Sequence, residues 1–435
     1  MSKEDSIGVG LLGLGVVGSS VAQALICKAQ SIASLVGCPI PIRKALVRDL
    51  NKPRQFEVPM ELLTDQPQEV LQDPAIAVVV EMMGGEHPAL DYIIAALKGG
   101  KHVVTANKEV MAKHGPELLG LAAQRGVSLL FEASVGAGIP IIGPLLKELA
   151  ANDITGIHAI INGTTNYILT RMSREGLDFQ AALKDAQALG YAEPDPTNDV
   201  EGHDAAYKLA ILSILAFRTK VHVSDVYREG ISRLTARDFR YAAELGYAIK
   251  LMAIAQRDKD GVQVRVHPTM VPQEHLLGKV DGVFNAVEME GDLVGRVVFH
   301  GRGAGAQPTT SAVVADVLEI ARNIGAGGRP LQPPQLDGHV AIKPMADLET
   351  QYYLRLEVLD RAGVLAQIAR VLGDLNVSIA SVIQKDSSRP AGTADLVITT
   401  YTTREAAMQE ALVRMARLEV VKSVCNFVRV EHLIS

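Results

Sequence analysis

The first 140 residues alternate short apolar runs with helical patterns, and this alternation limits the possible folds more than any other feature of the sequence. Because the runs are largely apolar throughout, both faces of each strand should be covered. Helices between successive strands supply that cover and make the sheet parallel. We therefore predict an α/β domain with a doubly wound parallel sheet at 1–140. The predicted strands are IGVGLLG (7–13), ALV (45–47), VVVEMMGG (78–85), KHVVTAN (101–107) and VSLLFEA (127–133), and the first helix is Val16–Cys27.

A glycine-rich turn stands where the first strand meets the first helix. GLGVVG has the GxGxxG spacing, which is weak evidence alone but gains force from its place between an apolar strand and a helix. The first glycine allows a tight turn, the second lets a pyrophosphate approach the backbone, and the third lets the helix pack closely. The helix N-terminus favours phosphate. A ligand-free βα turn is the alternative. The predicted cofactor-binding residues are Gly13, Leu14, Gly15, Val16, Val17 and Gly18.

The residues after the second predicted strand bear on the type of nicotinamide cofactor. An acid there bonds the ribose 2′-OH of NAD, whereas an arginine accommodates the 2′-phosphate of NADP. LVRDLNKPR places Arg48 before Asp49, with Lys52 and Arg54 close behind. The basic cluster favours NADP, with Arg48 as a cofactor-binding residue, and Asp49 keeps NAD as the alternative.

The remaining chain divides into a mixed region, a linker and a small C-terminal domain. Residues 141–322 combine helical stretches with strands of two-residue alternation, which predicts an α+β substrate-binding and dimerisation domain. A helix at 305–325 is expected to complete the dinucleotide-binding domain at 1–140. A Gly- and Pro-rich sequence predicts a linker over 323–350. Strand and helix patterns resume at 351–435, a length that suits one small domain.

A run of acids precedes a single lysine in LGYAEPDPTNDVEGHDAAYKLAIL, at 189–212. Asp204 and Lys208 are four residues apart, so they share one face of a helix. The helix then becomes almost wholly apolar, and a lysine on a buried helix must find a partner or lose its charge. Such a lysine can donate a proton to a carbonyl oxygen that becomes an alkoxide. A surface ion pair between Asp204 and Lys208 is the alternative interpretation.

A second lysine, Lys108, directly follows the strand KHVV. Ligands of open α/β sheets bind beyond the carboxyl ends of the strands, which places Lys108 near the reactive end of a dinucleotide. Two lysines and an acid around a carbonyl suit hydride transfer, because the cofactor brings the hydride and the protein brings orientation and charge. Glu193 and Asp199 are predicted to meet a cationic group of the substrate. Asp195 and Glu201 are predicted only to solvate a proline-rich loop.

Composition excludes several classes of protein. The net charge of −6 and the scattered basic residues argue against nucleic acid as a partner. No apolar stretch reaches the roughly 20 residues of a membrane span, and the acidic start does not suit a signal peptide. Cys27, Cys38 and Cys425 show no CxxC pairing and the histidines no cluster, which argues against a disulfide framework and a transition-metal site. These features predict a cytoplasmic protein without membrane or nucleic-acid partners.

Six motifs in chain order carry a family resemblance: GLGVVG, TANKE, FEASVGAGIP, NGTTNYIL, GYAEPDPTNDVEGHDAAYKLAIL and GAGAQPTTSAVVAD. Over about the first three quarters of its length the chain resembles homoserine dehydrogenase, and the acid-rich run is a far more specific motif than the glycine turn. The resemblance implies a Rossmann-type first domain. It also implies reversible NAD(P)-linked reduction of L-aspartate 4-semialdehyde to L-homoserine, on the route to threonine and methionine.

The resemblance further implies roles for individual residues. Lys208 matches the residue that donates or accepts the proton, Lys108 matches a second lysine at the reacting group, and Asp204 matches an acid that orients the lysine or binds substrate. The implied substrate contacts are Glu193, Asp199, Thr164 and Tyr191. The implied further cofactor contacts are Gly190, Gly303 and Gly305. The implied site for a monovalent cation, Na+, comprises Glu132 and the carbonyls of Val135, Ala137 and Ile139, a hard-oxygen set. Without the resemblance, that stretch is a plain glycine-bearing turn.

The C-terminal residues resemble an ACT domain, with the element order βαββαβ. The residues that match the DRxGVL turn of such domains are Asp360, Arg361, Gly363, Val364 and Leu365, and Asn376 precedes the second strand. ACT domains pair through their sheets and often bind amino acids at the pair interface. The resemblance therefore implies a homodimer or homotetramer and feedback by an amino acid such as threonine. A purely structural dimerisation module is the alternative.

Three other functions remain open on the sequence alone. Aspartate-semialdehyde dehydrogenase needs a nucleophilic cysteine, and none of the cysteines lies in 141–322. A 2-hydroxyacid dehydrogenase with an ACT tail needs a His/Glu/Arg set that is not evident. A non-catalytic sensor of nucleotides and amino acids is disfavoured because both lysines and the acid run are present.

Overall fold

The computed structural model describes residues 6–54, 56–330, 336, 340–388, 392–431 and 433, without the side chains of 385–388. The chain forms two compact units. The first unit comprises Met1–Ile157, Ala206–Val226 and Asn285–Val340, and the second unit comprises His158–Ala205, Tyr227–Phe284 and Ala341–Ser435. Among the described helices, none combines the length and the apolar character that a bilayer crossing requires.

Short strands and helices alternate through the N-terminal region. They are β1 (Gly8–Leu12), α1 (Val16–Cys27), α2 (Ala29–Val36), β2 (Ile42–Leu46), β3 (Leu63–Thr64), α3 (Gln68–Leu71), β4 (Ile76–Glu81), α4 (Ala89–Lys98), β5 (His102–Thr105), α5 (Lys108–Arg125), β6 (Leu129–Leu130) and α6 (Ile142–Leu146).

The middle and C-terminal regions contain longer strands. The middle elements are β7 (Ile154–Ile160), α7 (Gly163–Glu175), α8 (Phe179–Ala188), α9 (Thr197–Val200), α10 (His203–Phe217), β8 (Tyr227–Arg228), α11 (Ala236–Glu244), β9 (Tyr247–Asp258), β10 (Gly261–Pro272), β11 (Phe284–Gly291), β12 (Gly295–Arg302) and α12 (Ala306–Gly325). The C-terminal elements are β13 (Glu349–Leu359), α13 (Val364–Asp374), β14 (Ile379–Ser388), β15 (Thr393–Thr400), β16 (Thr403–Arg404), α14 (Glu405–Met415) and β17 (Val421–Val430).

The first unit contains a parallel sheet with the strand order β3-β2-β1-β4-β5-β6. This is the order of a Rossmann fold, so the predicted doubly wound parallel sheet is confirmed. β1 is buried along its whole length, as its apolar sequence requires. From β1 the chain adds β2 and β3 on one side of the sheet, and then β4, β5 and β6 on the other side. The loops after β1 and β4 therefore border the crevice at this switch point, where such sheets bind ligands.

Helix α12 shares the core of the first unit although the whole middle region separates it from the sheet in sequence. Its residues Val313, Val317 and Ile320 are buried in one cluster with Leu11 of β1 and Val21 of α1. Apolar residues at three- and four-residue spacing give α12 the face that this packing needs. The helix thus covers the sheet beside α1.

The last strand of the sheet is shorter than the sequence pattern suggests. The sequence predicts a strand over 127–133, but β6 contains only Leu129–Leu130 and a 3-10 turn begins at Glu132. The Glu132 carboxylate accepts the N–H groups of Ile141 and Ile142, at 2.6 and 2.9 Å. These bonds tie the turn to the start of α6, which ends the strand early.

The second unit contains a long hairpin and a C-terminal sheet. β9 and β10 pair antiparallel from Tyr247 to Pro272. The C-terminal strands have the order β17-β13-β15-β14, and α13 and α14 share a core with them, which confirms the predicted βαββαβ order. β17 also pairs parallel with β10, through Arg429 and Val430. The C-terminal sheet therefore continues into the hairpin.

The linker predicted over 323–350 is only partly described. α12 extends to Gly325, and residues 331–335 and 337–339 lie outside the described residues. Where the description resumes, Val262 N–H donates to the Ala341 carbonyl and Lys343 N–H donates to the Val262 carbonyl, both at 2.8 Å. The chain thus enters the C-terminal domain along β10.

Candidate active site

The glycine turn joins β1 to α1 and brings the backbone close to the end of β4. Gly13 has a φ of +97°, and a Cβ there would lie 3.2 Å from the Met82 carbonyl oxygen. A Cβ on Gly18 would lie 2.1 Å from the Gly13 oxygen, so only glycine lets α1 pack this closely. A Cβ on Gly15 would meet open space. The turn therefore has a tight bend, a close helix and an open approach to its backbone, as phosphate binding requires.

A cavity of about 580 Å³ lies beside this turn and is lined by Arg48, Asp49, Lys52 and Arg54. The Arg54 guanidinium donates to backbone carbonyls of its own loop. It therefore stabilises the loop and is not available to a ligand in the cavity. The Asp49 carboxylate accepts the N–H of Asn51 at 2.9 Å. The exposed side chains of Arg48 and Lys52 have no hydrogen bond or ion pair within the described part of the chain. The lining of this cavity is therefore suited to an anion.

A second cavity, of about 400 Å³, is lined by both candidate lysines, Lys108 and Lys208. Met82 and Met83, which follow β4, line both cavities, so the two spaces adjoin at the carboxyl end of that strand. Together the cavities extend from the glycine turn past the switch point of the sheet. This is the place where open α/β sheets bind dinucleotides.

The predicted cofactor residues divide between these cavities. Those that line the first are Gly13, Leu14, Gly15, Val16 and Arg48, and those that line the second are Val17, Lys108, Gly303 and Gly305. Gly18 is buried where α1 meets the turn. Gly190 lines neither cavity. It is exposed after α8 in the second unit, with a φ of +74°.

Different elements carry the two lysines to the second cavity. Lys108 is the first residue of α5, and the Asn107 side-chain oxygen caps this helix by accepting the Val110 N–H at 3.1 Å. Lys208 lies on α10 with 8% of its surface exposed, and nearly all later residues of this helix are buried. Burying an ammonium group costs free energy unless polar groups of the protein or a ligand form hydrogen bonds with it. The cavity is thus a site at which a ligand oxygen could reach Lys208.

A buried carboxylate, Glu81, organises the loops beside this cavity, although it is not among the predicted site residues. Its oxygens accept the Thr105 hydroxyl at 2.5 Å and the Met83 N–H at 2.7 Å. Thr105 Oγ1 also accepts the Asn107 N–H, and the Asn107 amide donates to the Gly85 carbonyl at 2.7 Å. Burial raises the pKa of Glu81 above its usual value, although these hydrogen bonds oppose the shift. The sequence does contain one sign of this buried acid, because Glu81 interrupts the apolar run VVVEMM.

In the second unit, Asn162 joins two of the predicted acids. Its amide donates to Asp199 Oδ1 at 2.7 Å and to Asp204 Oδ2 at 2.9 Å. Its side-chain oxygen accepts the Thr165 N–H at 2.8 Å and so caps α7. Asp204 is 2% exposed and lies one turn before Lys208 on α10. Asn162 belongs to the motif NGTTNYIL but is not among the predicted site residues.

The other predicted substrate residues are Thr164, Tyr191 and Glu193, of which Tyr191 and Glu193 are exposed. Thr164 Oγ1 donates to the Tyr191 carbonyl at 2.7 Å, and the Tyr191 ring meets the Tyr167 ring edge-on at 5.0 Å between centroids. Glu193 is exposed, and its carbonyl accepts the Gln187 amide at 3.1 Å. These contacts fix the turn after α8 beside the start of α7.

Asp195 and Glu201, which the sequence predicts to serve the loop rather than a substrate, both bond to nearby hydroxyls. The Asp195 carboxylate accepts the Thr197 hydroxyl at 2.6 Å, and this bond lowers the pKa of the exposed Asp195. Glu201 accepts the Ser232 hydroxyl at 2.9 Å. Neither contact involves Asn162, Asp199 or Asp204.

The stretch predicted to hold a cation forms a tight loop in the first unit. Gly143 N–H donates to Glu132 Oε2 at 2.6 Å, so both oxygens of this carboxylate have donors. The Glu132 N–H donates to Asp316 Oδ2 at 2.9 Å, and burial raises the pKa of Asp316 well above its usual value. Val135 and Ala137 line the second cavity, and Ile139 is buried. Among the described residues, no cluster of three His, Cys, Asp or Glu side chains suits a metal ion.

Comparison with known protein families divides the chain into three matches. The homoserine dehydrogenase family matches residues 140–318, and the NAD-binding domain of homoserine dehydrogenase matches residues 13–132. The ACT domain matches residues 352–418. The order of these matches is that of the two predicted N-terminal domains and the predicted C-terminal domain.

Individual relatives cover almost the whole chain. Homoserine dehydrogenase of Bacillus subtilis (strain 168) is 42% identical over 428 residues, which is 98% of each protein. The crystal structure of a homoserine dehydrogenase from Thiobacillus denitrificans superposes with a TM-score of 0.92, at 43% identity and 98% coverage of both chains. A hyperthermophilic archaeal homoserine dehydrogenase in complex with NADPH has a TM-score of 0.62 and 27% identity, and covers 72% of this chain and 97% of its own.

Proposed function

The chain belongs to the homoserine dehydrogenase family, and from this premise we propose how its residues carry out the reaction. It is an NAD(P)-dependent oxidoreductase with an NAD-binding domain and an ACT domain. The reaction interconverts L-aspartate 4-semialdehyde and L-homoserine in amino-acid biosynthesis. The observation that carries the proposal is that Lys108 and Lys208 line one cavity beyond the parallel strands.

The residues of the two adjoining cavities bind the dinucleotide. The N–H groups at the start of α1 bind its pyrophosphate, where Gly15 leaves the backbone open. Residues of the second cavity, including Gly303 and Gly305, hold the nicotinamide end. When bound, the cofactor exchanges a hydride with the substrate carbon, and the protein supplies orientation and proton transfer.

NADP is the cofactor that the first cavity favours. The side chains of Arg48 and Lys52 line it without partners among the described residues, and a 2′-phosphate would supply them. The Asp49 carboxylate already accepts a backbone N–H. The archaeal relative in complex with NADPH agrees with this preference.

Lys208 transfers the proton and Lys108 stabilises the developing charge. During reduction, the Lys208 ammonium donates a proton to the aldehyde oxygen as hydride reaches the carbonyl carbon, which yields the alcohol. During oxidation, Lys208 Nζ accepts the hydroxyl proton. A second cation at Lys108 lowers the energy of the alkoxide-like transition state.

The acids of the second unit bind the substrate ammonium group. Asp199 and Asp204 share the Asn162 amide, so their carboxylates are held in a fixed relation. Asp204 is one helical turn from Lys208, which links ammonium recognition to the proton donor along α10. Glu193, Thr164 and Tyr191 complete the substrate contacts. Glu193 and Tyr191 are exposed in the structure, so a ligand can reach them.

A monovalent cation such as Na+ binds the loop after β6. The carbonyl oxygens of Val135, Ala137 and Ile139 suit a hard cation, and the φ of +48° at Ala137 turns the backbone there. Both Glu132 oxygens accept N–H groups, so Glu132 adds charge to the site while the carbonyls supply most of the ligation. Replacing Na+ by choline should lower the thermal unfolding midpoint as well as the activity.

Regulation, assembly and location complete the proposal. An amino-acid effector such as L-threonine acts through the C-terminal ACT domain, and the subunits form a homodimer or a homotetramer. The protein works in the cytoplasm, in keeping with the cysteines Cys27, Cys38 and Cys425, which form no disulfide in the structure.

Oxidation of L-homoserine tests the function directly. We expect the absorbance of reduced nicotinamide to rise when L-homoserine and NADP+ are both present, with a higher kcat/KM for NADP+ than for NAD+. L-Serine is the matched control, because it has the same zwitterion and hydroxyl with one methylene fewer. Equal rates with the two amino acids, or no rate with L-homoserine, would refute the assigned reaction.

A further inference from the structure

A polar cavity of about 300 Å³ lies in the second unit, and the proposed reaction does not use it. It is bounded by the second half of α7, by the start of β9 and by the segment 273–281 between β10 and β11. It shares no lining residue with the two cavities at the parallel sheet. The lining residues that carry charge are Arg174, Lys250, Lys279 and Asp281.

A single carboxylate in this cavity serves two of the three cations. Asp281 Oδ1 accepts the Lys250 ammonium at 3.0 Å, and Asp281 Oδ2 accepts the Arg174 guanidinium. Lys279 pairs with Glu274 at 2.9 Å, but that carboxylate is exposed and does not line the cavity. The lining side chains therefore carry three positive charges and one negative charge, and both oxygens of the one acid already accept hydrogen bonds.

Lys250 is the innermost of the three cations, and its side chain is only 4% exposed. Besides Asp281, its ammonium donates to the Val280 carbonyl at 2.5 Å, and these two bonds leave one of its three protons for a ligand. Burial lowers the pKa of Lys250, and the charge of Asp281 opposes this shift. A second anion beside the ammonium would reduce the free-energy cost of its burial further.

We propose that this cavity binds a phosphate group, either inorganic phosphate or a phosphate monoester, with Lys250, Arg174 and Lys279 on its oxygens. A phosphate group carries about −1.5 to −2 charges at neutral pH, which matches the net charge of the lining. Its oxygens can accept all three cations and also the hydroxyl of Ser173, which has no hydrogen bond within the described residues. A monovalent anion would leave one positive charge without a partner, and a cation would be repelled.

A bound phosphate would connect the three segments that form the cavity. Arg174 lies on α7, Lys250 on β9 and Lys279 between β10 and β11, so one ligand would bridge all three. A ligand that binds only the folded protein raises its stability. The inference is independent of the proposed reaction, because the residues of this cavity contribute neither to the dinucleotide site nor to the substrate site.

Calorimetric titration of the full-length protein tests the site, with inorganic phosphate and glycerol 3-phosphate as the probes and with the ionic strength held constant by NaCl. We expect saturable binding of at least one probe, and the tighter of the two identifies the source of the phosphate group. The affinity should fall about tenfold or more in an Arg174→Gln/Lys279→Gln double variant, since each lost bond to a charged group is worth about a factor of ten. Arg171→Gln is the matched control and should bind normally, because Arg171 also lies on α7 but bonds Asp185 and does not line the cavity.

An Arg48→Gln/Lys52→Gln variant separates this cavity from the basic cavity beside the glycine turn, and it should retain the affinity for phosphate. The bound probe should also raise the thermal unfolding midpoint of the unmodified protein but not that of the Arg174→Gln/Lys279→Gln variant. Lys279→Gln alone leaves the pair of Arg174 with Asp281 in place, so it should fold normally and still bind phosphate more weakly.

Three outcomes would overturn the inference: neither probe binds, the affinity is unchanged in both Lys279→Gln and the double variant, or binding is lost in Arg48→Gln/Lys52→Gln instead. Homoserine oxidation without phosphate is measured on the same preparations. If the unmodified protein oxidises homoserine but binds no probe, the phosphate site fails alone; if it binds a probe but does not oxidise homoserine, only the proposed reaction fails.

Discussion

Two buried glutamates show how differently the two units of the molecule treat charge. In the first unit, burial raises the pKa of Glu81, whose partners are a hydroxyl and backbone N–H groups. In the second unit, burial also raises the pKa of Glu431, but Arg265 and His158 outweigh it and bring the pKa down to about 2. Glu81 bonds the loops that line a cavity, and Glu431 belongs to a network of buried charges.

The same contrast holds for the cations. Lys208 is buried beside the second cavity. By contrast, Arg355 bonds Asp238 at 2.7 Å and Arg429 bonds Glu405 at 2.6 Å, both deep in the second unit. Lys208 lines a cavity that a ligand can enter, whereas the pairs made by Arg355 and Arg429 hold elements together, such as β17 and α14. Activity and stability should therefore respond to different substitutions.

The largest expected effect is on turnover, in Lys208→Met. Loss of a general acid typically costs about 10²–10⁴ in kcat, and the methionine keeps the length of the side chain in a buried position. Cofactor affinity and the thermal midpoint should change little. Steady-state kinetics, cofactor titration and thermal unfolding measure the three quantities.

Lys250→Met is the matched control for that variant. Lys250 is also buried, and its ammonium donates to the Val280 carbonyl at 2.5 Å and to Asp281 at 3.0 Å, but it does not line the cavity that Lys108 and Lys208 share. We expect this variant to lose stability and to keep most of its kcat. If both lysine variants lost activity and stability together, the distinction between the two kinds of buried charge would fail.

The next largest effect is on stability, in Arg429→Met. Removing one partner of a buried ion pair costs about 3–5 kcal/mol, because the other charge stays buried. Arg404→Met removes an exposed pair with Asp347 and should cost less than about 1 kcal/mol. Denaturant unfolding at neutral pH compares the two. Similar losses would mean that the Arg429 pair contributes no more than a surface pair.

The two glutamates should respond to pH with opposite signs. The folded pKa of Glu81 is above its usual 4.5, so its contribution to stability is full below pH 4.5 and is lost as pH rises through the folded pKa. The folded pKa of Glu431 is about 2, so its contribution is present above pH 4.5 and is lost as pH falls toward 2.

Glu81→Gln and Glu431→Gln variants test these signs by thermal unfolding across pH. Relative to the unmodified protein, Glu81→Gln should gain stability as pH rises above 4.5, and Glu431→Gln should lose most at neutral pH and least near pH 2. Parallel pH profiles for the two variants would contradict the opposite shifts. Glu81→Gln should also lower kcat, since Glu81 positions the loops that carry Lys108.

The smallest expected effect is at Arg48, a charge that lines a cavity at the surface. Arg48→Ala should raise the KM for NADP+ by about tenfold, in line with one lost bond to a charged phosphate, and leave the KM for NAD+ nearly unchanged. Lys44→Ala is the control, because Lys44 lies on β2, just before Arg48, and does not line the cavity. It should change the KM for neither cofactor. Equal increases for both cofactors would show that Arg48 does not contact a 2′-phosphate.

Local sequence patterns predicted the parallel sheet, the glycine turn and the ACT element order, because each depends on residue spacing within one segment. They also singled out Lys108 and Lys208, since a lysine is conspicuous after a buried strand or inside a buried helix. They could not show that Asn162 bonds Asp199 and Asp204, because the amide and the acids lie in separate segments. The parallel pairing of β17 with β10 likewise depends on contacts between distant residues.

The central claim is that Lys108 and Lys208 act on the same substrate oxygen, and a double-mutant cycle in kcat tests it most directly. Lys108→Met, Lys208→Met and the double variant are compared in homoserine oxidation with saturating NADP+. We predict that the double variant is little slower than Lys208→Met alone, because residues that act as a unit are strongly non-additive. Losses that multiply would contradict the claim, since they would mean that the two lysines act independently.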